Sequence, residues 1–187
     1  PLRHGLFQFA VFAETPDANR QGFQLKDFSF NSPSGGRCPQ CAGQGTVAVE
    51  MQFLADLHMV CPECQGTRYR AEILSVQYRG LHISEVLNLT VADALPFFRT
   101  QPRIRKRLQL LKDVGLDYLP LGQPTGTLSG GESQRLKLAS FLNESSRAST
   151  LFLFDQPTTG LHPADVQTLL NCFDHLLAVG HSVIIAE

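Results

Sequence analysis

Two cysteine pairs, Cys38-Pro39-Gln40-Cys41 and Cys61-Pro62-Glu63-Cys64, constrain this chain more than any other feature in it. They are separated by 19 residues. Two residues between partners let both thiolates of a turn reach one ion. Four thiolates with no open position make a tetrahedral structural zinc site rather than a catalytic one. The chain between the pairs must therefore leave one point and return to it. Gly43, Gly45 and Gly66 follow the pairs closely and let the backbone swing N–H groups toward the sulfurs. His58 lies between the pairs, but four cysteines already suffice. The fifth cysteine, Cys172, reads as a small core residue. No signal peptide and no apolar run of membrane-spanning length is visible, so a soluble, cytoplasmic protein is expected. In a reducing compartment, cysteines at this spacing are metal ligands rather than disulfides.

A second pair of motifs lies downstream. Ser129-Gly130-Gly131-Glu132 has a serine able to cap a helix and a glutamate three residues on, a full capping box. Its glycines expose N–H groups at a helix N-terminus, where the helix dipole favours an anion. Leu151-Phe152-Leu153-Phe154-Asp155 is a short apolar strand, suited to a sheet buried on both faces, that ends in an acid. A carboxylate there suits the magnesium of a bound nucleotide. Gln156 stands where a general base is expected. An amide is not basic, but it can orient a water. Thr158, Thr159 and Gly160 form a polar loop, and His162 reads as a contact across a subunit boundary in preference to a satisfied loop histidine. Pro163 opens a helix with the stripe Val166, Leu169, Leu170, Phe173 and Leu177, and Gly180 precedes a second apolar strand. Strand, helix, strand is a right-handed parallel crossover. No G-x-x-x-x-G-K-[ST] loop is present, so the phosphate-cradling half of an ATP site is not in this sequence; a piece of a longer protein is expected.

Between these regions the punctuation is helical. Thr15-Pro16-Asp17 looks like a turn or a helix start. Ile73, Leu74, Val76, Tyr78 and Ile83 suit a strand or two around the turn at Gly80. Thr90 with Asp93 resembles a capping box. Pro102 opens a helix with Ile104, Leu108, Leu111 and Val114 on one face, and Gly115 stops it. The net charge of −1 gives no global sign of a polyanionic partner. Arg99, Arg103, Arg105, Lys106 and Arg107 cluster locally, which by itself is an ordinary solvated helix face.

Residues 28–187 resemble the second ATPase half of the UvrA family of ABC ATPases. The resemblance is carried by Phe28-Ser29-Phe30-Asn31, Gly35 to Gly45, Met51 to Leu54, Cys61 to Tyr69, Val114-Gly115-Leu116, Leu121 to Pro124, Leu128 to Ser140 and Pro157 to His162. It implies an α/β fold: a partial ABC-type ATPase, parallel strands with helices, carrying a helical signature subdomain and an inserted four-cysteine zinc module. The implied boundaries are a poorly assigned lead-in at 1–30, the zinc module at 31–70, the signature subdomain at 71–145 and the Walker B strand-helix-strand at 146–187. Ser129, Gly130, Gly131 and Glu132 correspond to the signature motif, which meets the γ-phosphate of an ATP held by the other ATPase half. Asp155 corresponds to the Walker B acid and Thr158 to His162 to the D-loop region.

The resemblance further implies ATP with Mg2+, zinc on Cys38, Cys41, Cys61 and Cys64, damaged duplex DNA as ligand, a homodimer and a helicase partner in excision repair. The family usually carries glutamate where Gln156 stands, and its Walker A, Q-loop and switch-histidine segments do not appear in this sequence. This stretch alone is therefore expected not to hydrolyse ATP. Other readings share part of the pattern. A transporter ATPase shares the signature and Walker B strand but not the cysteines. A non-enzymatic zinc module, as in DnaJ-type chaperones, shares the cysteines but not the strand. A UvrA-like self-resistance protein shares both. Arg68, Arg70, Arg103, Arg105 and Arg107 are the candidate DNA contacts.

Overall fold

A computed structural model describes residues 6–49, 57–143, 149–161 and 163–186. The chain divides into two compact units, Pro1–Leu87 and Asn88–Glu187.

The first unit is built on aromatic packing. The poorly assigned lead-in contains helix α1 (Leu6–Ala13). Its Phe9 and Phe12 are buried. Phe12 stacks on Phe28 with ring centroids 5.7 Å apart, and Phe9 meets Phe30 edge-on at 5.9 Å. Thr15 caps α2 (Pro16–Gln21) by accepting from the Ala18 N–H at 3.2 Å. The loop over 31–37 packs tightly. A side-chain carbon on Gly35 would lie 2.1 Å from the Lys26 carbonyl oxygen, and one on Gly36 would lie 2.2 Å from Ile73. Two short antiparallel pairs complete the unit. They are β1 (Thr46–Val49) with β2 (Leu57–Val60), and β3 (Gln77–Tyr78) with β4 (Leu81–His82) around Gly80. Ile73 and Leu74 belong to a one-turn helix, α3 (Ala71–Leu74), and not to a strand. Ile73 is buried inside that turn, so its apolar side chain reports burial without reporting strand. Helix α4 (Ile83–Asn88) closes the unit with Ile83, Val86 and Leu87 buried.

The second unit opens with α5 (Val91–Phe97). Thr90 caps it, accepting from the Asp93 N–H at 3.1 Å. Asp93 returns the contact to the Thr90 hydroxyl at 2.6 Å and not to a backbone N–H. Helix α6 (Pro102–Asp113) buries Ile104 and Leu108, and Gly115 leaves it at φ 71°, the left-handed stop expected of glycine. Then come α7 (Gly130–Asn143), β5 (Leu151–Asp155), α8 (Pro163–Ala178) and β6 (Ser182–Ala186). Strands β5 and β6 are parallel, with Leu151 opposite Ser182 and Asp155 opposite Ala186.

The core of this unit gathers Val114, Leu116, Leu138, Ala139, Phe154, Leu169, Cys172, Phe173 and Leu176. Two expectations shift here. The buried stripe of α8 is Leu169, Cys172, Phe173 and Leu176, whereas Leu170 and Leu177 are exposed. The two stripes share Leu169 and Phe173, and the 3.6-residue turn brings 172 and 176 under the core instead of 170 and 177. The expected two-sided burial of the sheet is also not seen among the described residues. Phe154 faces the core while Leu151 and Leu153 are 57% and 69% exposed, because helices cover one face of this two-stranded sheet and alternate side chains point to the other.

Candidate functional site

The two cysteine pairs form matching turns. Each runs Cys-Pro-x-Cys, and each then takes left-handed backbone at three places: Ala42, Gly43 and Gly45 in one, Gln65, Gly66 and Arg68 in the other. These turns bring all four sulfurs within 4.8 Å of one another. Cys38 Sγ is 3.9 Å from Cys61 Sγ, and Cys41 Sγ is 3.6 Å from Cys64 Sγ. A tetrahedron of thiolates about 2.3 Å from a central ion has edges of about 3.8 Å, so the cluster is of the size such a metal site needs. All four cysteines are buried and none is in a disulfide. The Gly45 N–H donates to Cys41 Sγ at 3.2 Å, the kind of support that a metal thiolate needs. The N–H of Cys64, and to a lesser degree that of Glu63, pulls the Cys61 thiol down to about 7, while burial pushes the Cys38 thiol up to about 12. His58 lies in exposed β2.

In the second unit, the capping box forms as expected. The Ser129 N–H donates to Glu132 Oε2 at 2.7 Å, and the Glu132 N–H donates to Ser129 Oγ at 3.2 Å. Glu132 Oε1 accepts the Tyr118 hydroxyl at 2.5 Å. The Tyr118 hydroxyl first, and then the Ser129 N–H, hold the Glu132 carboxyl below its usual range. Burial, followed by the Glu132 contact, pushes the Tyr118 phenol up. Ser129 and Gly130 are exposed, and as first-turn residues Gly130 and Gly131 have no intrahelical acceptor for their N–H groups.

The turn lies against the end of β5. Gln134 Nε2 donates to the Asp155 carbonyl at 2.7 Å, and the Asp155 N–H donates to Gln134 Oε1 at 3.1 Å. Arg135, fully buried, donates through Nη1 to the Pro157 carbonyl at 2.6 Å. Asp155 and Gln156 are exposed at the strand end. Gln156 takes left-handed backbone at φ 47°, with its N–H on the Ala186 carbonyl at 2.7 Å. The structure therefore brings Ser129, Gly130, Gly131, Glu132, Asp155 and Gln156 into one neighbourhood. His162 lies outside the described residues, as does the Met51–Leu54 segment.

No family model matches the chain. Curated relatives do. It is 49% identical over 177 residues to UvrABC system protein A of Methanothermobacter thermautotrophicus, covering 95% of this chain and 18% of that protein. The same protein of Thermus thermophilus is also 49% identical over 177 residues, with 18% of its length covered. Among solved structures, UvrA2 from Deinococcus radiodurans superposes with a TM-score of 0.88 at 47% identity, covering 98% of this chain and 23% of that one.

The chain belongs to the UvrA family.

It spans about a fifth of the length of the curated UvrA relatives it matches. The α/β class with a cysteine module, read from sequence, is the one this UvrA segment adopts. Two candidate DNA contacts are engaged within the chain. Arg70 donates to the Gly35 carbonyl at 2.6 Å, and the Arg68 guanidinium lies 5.6 Å from the Phe30 ring centroid. On α6, Arg103 and Arg105 are exposed and Arg107 is half-buried. Sequence reasoning missed Tyr118, Gln134 and Arg135. A signal for one of them was present: Arg135 falls in register with Gly131, Leu138 and Ala139, the positions that α7 buries.

Proposed function

We propose that this segment serves an ATP-dependent DNA-binding protein of excision repair and contributes half of a nucleotide site together with a zinc module. The amides of Gly130 and Gly131, with the Ser129 hydroxyl, receive the terminal phosphate of an ATP held by another polypeptide segment. Asp155 holds the magnesium of a bound nucleotide, directly or through water. Gln156 orients water without accepting its proton, so turnover at this half is slow. His162 contributes from the loop that follows. Cys38, Cys41, Cys61 and Cys64 hold zinc, whose chemistry there is structural: four thiolates leave no place for a substrate. The exposed arginines of α6 meet duplex phosphates. The intact protein acts as a dimer with a helicase partner, in the cytoplasm. Among the described residues, no helix is long and apolar enough to cross a membrane.

One observation carries the nucleotide reading. Gly130 has ordinary backbone, and a side-chain carbon placed there would meet nothing within 4 Å. Neither conformation nor packing inside the chain requires glycine at that exposed helix start. An anion approaching the amides does.

The test uses a full-length UvrA relative in which this chain replaces the matched segment. The chimera is expected to retain zinc and ATP-dependent DNA binding, and Asp155→Asn is expected to remove the ATP dependence while leaving zinc content unchanged. ATP-dependent binding that survives Asp155→Asn refutes the role given to that carboxylate.

A further inference from the structure

The nucleotide reading places its groups on two elements, amides on α7 and a carboxylate on β5. We propose that Gln134 and Arg135 are positioning residues that clamp the first turn of α7 to the loop leaving β5, so that the two sets of groups move as one body. The functional meaning of this clamp rests on the nucleotide reading, whereas its mechanical content rests on geometry.

The N–H and C=O of one strand residue point to the same edge, and those of the next residue point to the opposite edge. At the end of β5, Gln156 turns its N–H toward β6, onto Ala186. Asp155 therefore turns both its groups the other way, and the Gln134 carboxamide meets them with one donor and one acceptor. Gln134 thus takes the place of a neighbouring strand for one residue. Glutamate at this position has no donor for the Asp155 carbonyl at neutral pH.

Arg135 makes the second contact, to the Pro157 carbonyl. Gly131 permits the close approach of the loop. A side-chain carbon there would lie 3.3 Å from the Thr159 carbonyl oxygen, 3.4 Å from Arg135 Nη1 and 3.5 Å from the Gln156 carbonyl oxygen. Positions 131, 134 and 135 are i, i+3 and i+4 on α7, one side of the helix. Gln134 and Arg135 hold residues 155 and 157 through backbone groups alone, and Gly131 leaves the loop room to lie close.

The chemistry is costly for mere adhesion. Arg135 is fully buried, and its Nε and Nη2 have no hydrogen-bond partner among the described residues, although its charge also acts on the Glu132 carboxyl and the Tyr118 hydroxyl. An apolar side chain of similar length fills such a site at least as favourably as a buried cation. What an apolar side chain cannot do is fix a carbonyl. The loop it fixes holds Gln156 in left-handed backbone, a conformation that persists only where the surroundings enforce it.

Hydrogen exchange followed by mass spectrometry on this chain tests the clamp without nucleotide. In the unsubstituted chain, peptides covering 129–134 and 155–161 are expected to open together, with one common dependence on urea. Gln134→Glu removes one donor without leaving a cavity, and Arg135→Met removes the contact to Pro157 while filling the space. Each is expected to speed exchange at 155–161 by about tenfold, the loss of one hydrogen bond, with the urea midpoint of global unfolding little changed. Arg135→Lys keeps one donor and is expected to restore part of the protection. Exchange at 155–161 that stays within about twofold of the unsubstituted chain in both variants overturns the clamp. So does a rise that merely follows a loss of global stability. A parallel arm adds inorganic phosphate as the minimal anion. Protection of both peptides in the unsubstituted chain, lost in Arg135→Met, supports the clamp and the anion site together. Absence of any phosphate effect counts against the anion site alone, because the nucleotide-free comparison already decides the clamp.

Discussion

Replacing Gly130 by alanine separates what the fold needs from what an external ligand needs. The new methyl meets no atom within 4 Å, and the backbone there is not left-handed. Alanine favours a helix interior over glycine by about 1 kcal/mol, and less in the first turn. The expected stability change is therefore slight and of stabilising sign, within about 0.5 kcal/mol. The effect on an anion is opposite in sign and larger. Cα–Cβ bonds tilt toward the helix N-terminus, so the methyl stands on the side from which a phosphate would approach. Hydrogen bonds to a charged acceptor contribute about 1.5–3 kcal/mol each. Losing one weakens ATP-dependent closure by roughly 10- to 100-fold. Gly131 offers the internal contrast, because its methyl would crowd the Thr159 carbonyl at 3.3 Å and disturb the loop itself. The assay is a urea titration of this chain beside ATP titration of DNA binding in the full-length chimera. Two results refute the reasoning: a clear loss of stability on Gly130→Ala, or an ATP response equal to that of the parent.

Three further outcomes are expected. Stripping metal with a chelator should unfold the cysteine module and abolish protection at 38–45 and 61–68. Affinity for added zinc should fall as pH drops, since the ligands must lose protons to bind; isotope exchange and a zinc titration at several pH values check this. Tyr118→Phe should cost about 0.5–1 kcal/mol at neutral pH, a figure kept small by the partial exposure of Glu132. Because the Glu132 carboxyl is held below its ordinary value of 4.5, that stabilisation is fully present above 4.5 and is lost as pH falls through the lower, folded value. Parent and variant should thus converge in acid, and urea midpoints measured across that range show whether they do. Gln156→Glu in the chimera should raise ATP turnover by about 10²-fold or more if a general base is what this half-site lacks, and steady-state hydrolysis reads it directly.

Local chemistry was legible where local geometry decides the outcome. Two residues between cysteines set a metal turn, Ser129 with Glu132 sets a capping box, and Gly115 sets a helix stop, each within four residues. The glycine pattern around the cysteines was a less complete guide, because Arg68 adopts the same left-handed backbone that Gly45 adopts in the other turn. The α8 stripe was half-legible, since Leu170 and Leu177 are as apolar as Leu169 and Leu176 and only the direction of the core separates them. The clamp was not legible at all as a set of contacts. Gln134 reaches across 21 residues to a backbone, and a backbone carbonyl leaves no side-chain trace in the sequence.

What the sequence does hold is an anomaly, a charged residue in register with the buried positions of α7. A cation in an apolar register has to be compensated by something, and here the compensation includes the carbonyl of Pro157 in the loop that carries the site. Gly130 is the reverse case. There the sequence supplies the residue that packs least, at a place where nothing in the fold asks for it. One position is over-provided for burial and the other under-provided for packing. Both lie in the first two turns of one helix: the loop carbonyl of Pro157 answers the first, and an anion at the helix N-terminus would answer the second.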